Sequence, residues 1–343
     1  MRDAGCPARR GYASLLSVQA ARAKAHKRGE PLHGVLVIDK PRGPTSHDVV
    51  AQLRRVLGTR EIGHAGTLDP MATGVLVVLV GEATKLAPYL TANDKGYEAT
   101  LALGVATDTL DAEGQETRRA DVPISMRDAL EKLRLDRVHP HLAAALAAEC
   151  ARTSQVPPAF SAISKDGERS HERARRGEEV VLDARPVHVK SIALLDGGVD
   201  GGGAPWLAVS LDVGKGYYVR SMARDLAAAL GTVGHLTALR RTRSGPFTID
   251  EAMLLDTPAD ELEARVLSVE RAVTRAMPSV RLAESAARDA RFGRPLKADD
   301  VAGVPPGPVA WLAPDGALIA IGELGADGAA RVLRGFGGRT VTP

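Results

Sequence analysis

Apolar and polar positions follow distinct rhythms along the chain, and each rhythm predicts an element. HGVLVIDKP (33–41) is a nearly continuous apolar run closed by a turn-forming Lys-Pro, which predicts a strand. In SHDVVAQLRRVLG (46–58), Val49, Val50, Leu53, Val56 and Leu57 recur with the spacing of one helix face. Ser46 is its expected N-cap and Gly58 its stop. Positions 75–80 are all Val or Leu, as in a strand buried on both faces. EATKLAPYL predicts a short helix broken near Pro88. KGYEATLALG (95–104) alternates, with Tyr97, Ala99, Leu101 and Leu103 on one face of a half-buried strand.

Further along, residues 125–136 read as a helix, 187–194 and 206–213 as strands, and 218–230 as a helix ended by Gly231. Between them, residues 153–186 are polar and rich in Arg, Gly, Ser and Pro, which suggests a long protruding insertion. GGVDGGG (197–203) suggests a flexible loop. From about Pro278 a helical stretch precedes short strands near 309–313, 317–323 and 330–334, separated by Gly, Pro and Asp. That pattern predicts a small β-rich module.

With 44% hydrophobic and 25% charged residues, the 343-residue chain has ordinary globular usage and length for two or three domains. Cys6 and Cys150 form neither a disulfide framework nor a zinc spacing, which favours a reducing, cytoplasmic setting. No apolar run is long enough to span a membrane. YASLLSVQAA (12–21) imitates a signal peptide, but Ser14, Ser17 and Gln19 interrupt it. An Arg-rich, acid-poor segment also suits a transit peptide. The expectation for 1–32 is a basic, poorly ordered tail, or a misassigned start.

The charge balance does not by itself point to nucleic acid. Seven of the 45 Lys and Arg, but two of the 42 Asp and Glu, lie within residues 1–32, so the remainder is slightly acidic. Any such argument rests on local clusters at Arg54–Arg55, Arg169–Arg176 and Arg240–Arg243, each of which also reads as a solvated face.

Several common sites are missing, among them G-x-G-x-x-G, the P-loop, G-x-S-x-G and H-E-x-x-H. Nothing in the sequence asks for a nucleotide cofactor or a metal. What remains is HAGTLDPMATGVL (64–76). Gly66 and Gly74 tolerate sharp bends there, and Pro70 pushes Asp69 toward extended backbone. An acid on a stiff loop at the mouth of a buried strand suits a functional site, although Asp also simply caps such turns. Arg220 in GKGYYVRSMARDL (214–226) could hold Asp69 ionised, or be a surface helix charge. Tyr97 could pack on a flat substrate, or be a core tyrosine.

Taken together, the motifs resemble the TruB family of tRNA pseudouridine synthases. VIDKPRGPTSHDVV (37–50) looks like the family's first motif and GHAGTLDPMATGVL (63–76) like its catalytic motif. DKGYEATLALGVATDTLDAEG (94–114) is similar to the next, and QVPPAFSAISKDGERSHERARRGE (155–178) to the RNA-gripping insertion. GKGYYVRSMARDLAAALGTVGHLTALRRTRSGPF (214–247) resembles the late motif with its arginine and Leu-Arg-Arg element. The likeness runs in order from about residue 33 to about 275.

This resemblance implies an α+β fold, with a central mixed, mostly antiparallel β-sheet flanked by helices. It implies a catalytic domain over 33–277, with the insertion at about 153–186, and a small PUA-like RNA-binding domain over 278–343. The implied activity is conversion of the uridine conventionally numbered 55, in the tRNA T loop, to pseudouridine, without cofactor or metal. The implied partner is the T arm of tRNA, with no membrane, no obligatory protein partner and a monomeric state. Asp69 would be the essential carboxylate, Tyr97 would contact the extruded base, and Arg220 would pair with Asp69. His64 would occupy the place of the displaced base, and Leu239 would wall the pocket. Lys40 and Tyr218 would support the site, while Arg240, Arg241 and Arg175 would contact RNA. The chain departs from the pattern at Phe160, Ser164 and His171, where tyrosine, lysine and tyrosine are frequent. Two alternatives remain open: a guide-RNA-dependent enzyme acting on ribosomal RNA, and a tRNA-folding helper with incidental catalysis.

Overall fold

A computed structural model describes residues 31–337 except 134, 162, 166, 167, 171, 172, 174, 175, 177, 179 and 181. The predicted apolar runs assemble into one sheet. Its first strands are β1 (Gly34–Lys40), β2 (Ile62–Ala65), β3 (Thr73–Val80) and β4 (Lys95–Leu103). Across the sheet the order is Val189–Val199, Pro205–Val213, β4, Gly234–Ser244, β3, β1 and Met253–Leu254, with β2 also paired to β3. β3 runs parallel to Gly234–Ser244 and β1 parallel to Met253–Leu254, and the other pairs are antiparallel. The sheet is therefore mixed and mostly antiparallel, as expected.

The uniform apolarity of β3 has the predicted cause. Leu76, Val78 and Val80 enter one core, and Val75, Val77 and Leu79 enter another on the opposite face. The first core is closed by α1 (Ser46–Val56) and by the helices Ile124–Glu131, Pro140–Cys150 and Val219–Ala229. The second is closed by Ala83, Leu86 and Leu90, by Val269, Ala272 and Val273, and by residues of a five-stranded C-terminal sheet. That sheet has the order Ser279–Arg281, Val309–Leu312, Leu318–Leu324, Ala329–Gly335, Leu296–Lys297.

Some expectations shift. Thr45, not Ser46, caps α1, forming a capping box with Asp48. Ser46 is the first helical residue, and its hydroxyl serves the Asp69 loop instead. The expected loop at 197–203 shrinks to a turn, because Gly197–Val199 continue the strand opposite Pro205–Leu207. The helix expected over 125–136 spans Ile124–Glu131. Several elements had no prediction, among them the helix Pro140–Cys150 and the strand Gly234–Ser244. The strand was hidden by its arginines, which read as a surface cluster. Among the described residues, no helix is long and apolar enough to cross a membrane.

Candidate active site

Asp69 sits between β2 and β3, in a loop held from three sides. From α1, the Ser46 hydroxyl donates to the Leu68 carbonyl at 3.1 Å and accepts from the Leu68 amide at 2.9 Å. From the end of β1, Lys40 donates its three ammonium protons to the carbonyls of Pro41 (2.9 Å), Pro70 (3.2 Å) and Ala72 (2.8 Å). From the Gly234–Ser244 strand, Arg241 donates to the carbonyls of Val75 (2.6 Å), Thr67 (3.3 Å) and Gly66 (2.9 Å). Lys40 and Arg241 are both 0% exposed. Two buried cations thus hold the carbonyls on both sides of Asp69. Burial pushes the Lys40 ammonium down to about 8, against the pull of Glu113 and Asp69.

Where the sequence suggested an RNA contact, the structure has Arg241 contacting the loop from within the core, with no surface exposed. The two glycines behave as read: Gly66 and Gly74 have φ of 93° and 98°. A Cβ on Gly74 would lie 2.2 Å from the Arg241 carbonyl oxygen.

The Asp69 carboxylate, 33% exposed, meets Arg220 at the start of the Val219–Ala229 helix. Arg220 Nε lies 2.8 Å from one carboxylate oxygen, and Nη2 donates to the other at 3.1 Å. This is the expected pairing, and it is bidentate. The guanidinium, 9% exposed, also donates to the carbonyls of Thr109 and Phe160, both at 3.0 Å, and lies 3.7 Å from the buried Asp111. Asp111 accepts from the Thr109 hydroxyl and the Glu113 amide. Between them, Leu110 has a φ of 62°, a conformation that costs a non-glycine residue on the order of 1 kcal/mol or more. Such strain persists where the surroundings over-determine it, and here it sits beside the acid. Burial and Asp111 raise the Glu113 carboxyl.

The remaining expected residues fall at varied places. Tyr97 is nearly buried on β4, with Arg241 as its cross-strand partner, in the apolar cluster that also holds Leu68, Met71 and Leu239. Tyr218 caps the Arg220 helix, and its backbone is clamped by the Gln155 amide, which accepts from its N–H (2.9 Å) and donates to its C=O (3.1 Å). Burial raises the Tyr218 hydroxyl pKa. His64 lies on β2 with its ring edge-on to His47 at 5.4 Å. Burial, His47 and Arg241 lower its pKa, and its Nδ1 is buried without a partner among the described residues. Arg240 is ion-paired with Asp39 at 2.8 Å. With Arg42, Met71, Thr73 and Leu239 it lines a cleft of about 420 Å³ beside the same loop, which neither Asp69 nor Tyr97 lines. Arg175 and His171 lie outside the described residues.

Sequence reasoning missed Ser46, Asp111 and Gln155 as parts of this arrangement. Their signal was present, since each falls inside a quoted motif, but a hydroxyl, a loop acid and an amide carry no chemistry visible without their partners.

Comparison with known proteins identifies the assembly. Residues 54–219 match the family described as TruB family pseudouridylate synthase (N terminal domain). Residues 220–274 match the tRNA pseudouridylate synthase B C-terminal domain. A relative from Nocardia farcinica, named tRNA pseudouridine synthase B, is 48% identical over 88% of this chain and 93% of its own length. The chain belongs to the TruB family.

As a TruB-family pseudouridylate synthase it is an isomerase. A second relative of the same name, from Arthrobacter sp. (strain FB24), is 43% identical over 84% of this chain and 92% of its own length. Among solved structures, a chain of a Cbf5-Nop10-Gar1 complex is 27% identical, with a TM-score of 0.63 over 85% of this chain and 78% of its own. An archaeal box H/ACA sRNP Nop10-Cbf5 complex shares the fold, with a TM-score of 0.62 over 90% of this chain and 88% of that one. The boundary between the two matched segments falls between Val219 and Arg220, inside the helix that carries the Asp69 partner.

Proposed function

We propose that this protein converts uridine 55 in the T loop of tRNA to pseudouridine, acting in the cytoplasm as a monomer on bare tRNA without an obligatory protein partner. The observation that carries this reading is the bidentate Arg220–Asp69 pair on a loop locked by Lys40, Arg241 and Ser46. The names of the relatives at 43–48% identity favour tRNA over a guided ribosomal substrate.

The reaction breaks the N1–C1′ bond, turns the base and forms C5–C1′; C5 loses a proton and N1 gains one, so composition does not change. A uridine inside a folded loop is first extruded, at a cost of a few kcal/mol. Asp69 is the essential carboxylate. Its rigid mounting serves proximity and orientation, which contribute several kcal/mol in such steps. Tyr97 lies against the extruded base, and Leu239 forms an apolar wall. His64, neutral because its surroundings disfavour the charged ring, fills the place the base has left. Residues 33–277 form the catalytic unit, the segment 153–186 with Arg175 grips RNA, and 278–343 form a PUA-like RNA-binding unit. Arg240 at the cleft wall faces phosphate.

The test is to incubate the protein with an unmodified tRNA transcript, without metal, nucleotide or guide RNA, and to map pseudouridine at single-nucleotide resolution. The expected result is one new pseudouridine in the T loop, absent with Asp69→Asn although that variant still binds the transcript. Product at another site, or an active Asp69→Asn, overturns the reading.

A further inference from the structure

A second ionic cluster shares no residue with the Asp69 site. Its centre is Glu149, in the last turn of the Pro140–Cys150 helix and only 2% exposed. The Tyr217 hydroxyl donates to Glu149 Oε1 at 2.7 Å, within the core. Arg152 closes the other side, with Nε 2.9 and 2.8 Å from the two carboxylate oxygens and Nη2 at 2.8 Å from Oε2. Arg152 Nη1 also lies 3.5 Å from Asp225, which is paired with Arg224 on the Arg220 helix.

Stability alone does not account for this cluster. Desolvating a carboxylate costs several kcal/mol, and well-packed apolar residues often replace a buried ion pair without loss. Tyr217 is nearly buried among apolar residues, where a phenylalanine ring would contribute similar burial. What the hydroxyl adds is direction. Tyr217 precedes the helix-capping Tyr218 and stands three residues before Arg220. The segment Gln155–Val156 reinforces the same corner: Gln155 clamps the Tyr218 backbone, and the Val156 carbonyl accepts from the Ser221 hydroxyl (2.9 Å) and Arg224 (3.1 Å).

Resting on the pseudouridine reading above, we infer that Glu149 and Tyr217 are positioning residues, which anchor the corner before the Val219–Ala229 helix and thereby aim Arg220 at Asp69. A misplacement of about 1 Å far from the reacting atoms can cost about a hundredfold in rate, so this anchor acts on turnover more than on binding.

The test uses the full chain with Tyr217→Phe, Glu149→Gln and the double variant. Three quantities are measured: the single-turnover rate at saturating tRNA transcript, the transcript Kd, and the Arg220 Nε–H resonance, assigned by its loss in Arg220→Lys. For Tyr217→Phe the rate is expected to fall about fivefold or more while Kd stays within about twofold, and the Arg220 resonance to shift and exchange faster with solvent. The double variant is expected to be no slower than the slower single, because both changes act on one contact, the first removing its donor and the second the charge of its acceptor. An unchanged Arg220 resonance in folded Tyr217→Phe, or losses that multiply in the double variant, overturns the inference. If Tyr217→Phe does not fold, Glu149→Gln, which keeps an acceptor of the same shape, gives the same two readouts. The resonance needs no turnover, so a wild-type protein that makes no pseudouridine defeats the functional reading while the anchoring is still decided.

Discussion

At the scale of single residues, Lys40 gives the sharpest expectation. Its ammonium has three protons for three carbonyls, and two of those carbonyls, Pro70 and Ala72, follow Asp69 in its loop. With its pKa held down to about 8 by burial, Lys40 becomes a neutral amine as the pH rises through that value. Two N–H groups then serve three carbonyls, and the loop loosens. The turnover rate is therefore expected to fall above about pH 8. Stability moves the other way. Between about 8 and the ordinary lysine value of 10.5 the unfolded chain binds more protons than the folded one, so the Lys40 contribution to stability grows with pH across that window. Lys95, also lowered to about 8 by burial, adds to the stability trend in the same direction. A pH series of rates and urea midpoints on one preparation checks both signs. Lys40→Met is expected to lose at least about tenfold in rate, since each buried carbonyl left without a donor costs about 1–3 kcal/mol.

At the scale of elements, the decisive contact is the parallel pairing of β3 with the Gly234–Ser244 strand, where Gly74 faces Arg241. Gly74 needs its positive φ, and its missing Cβ leaves room for the Arg241 backbone. Gly74→Ala would force those strands apart at the point where Arg241 reaches the Asp69 loop. A loss of about 3 kcal/mol or more is expected, because strain and a backbone clash combine. Urea unfolding measures it, and a loss below about 1 kcal/mol would show that the strands separate cheaply. The Leu110 turn works similarly: a strained φ places the Thr109 carbonyl and Asp111 around Arg220.

At the scale of the whole molecule, the two sheets share a core. Ala310, Leu312, Ile321 and Phe336 of the C-terminal sheet and its end pack in one cluster with Leu79, Ala83, Leu86 and Val273. Lys85 stands over the Phe336 ring, and the Gly337 amide donates to Glu82. A chain ending at residue 277 keeps every group around Asp69 but uncovers this apolar surface. It is expected to bind tRNA more weakly and to melt at lower temperature, yet to turn over substrate while folded. Measuring the rate per folded molecule at low temperature separates these effects. Complete loss of activity in a folded truncation would mean that the C-terminal unit takes part in catalysis.

Local pattern carried much of this protein. The apolar runs of β1 and β3, the α1 stripe and the alternation in β4 placed the main elements, because burial on one face or two leaves a direct imprint on residue spacing. The Gly66-to-Gly74 loop was legible as rigid, since glycine and proline restrict backbone geometry by themselves. Ordered motifs then pointed to Asp69, Tyr97 and Arg220 before any coordinates. Tertiary structure alone decided what the charged residues do. Arg240 and Arg241 are adjacent in sequence and identical in type. Strand alternation turns Arg241 into the core to grip the Asp69 loop and leaves Arg240 at the cleft wall, paired with Asp39. Glu149 lies in a helix that local pattern left unpredicted, and its role emerges only when Tyr217, 68 residues away, closes over it. Composition and periodicity record which side chains avoid water. They do not record which distant partner makes a buried charge tolerable, and that partner is supplied only when the chain has folded.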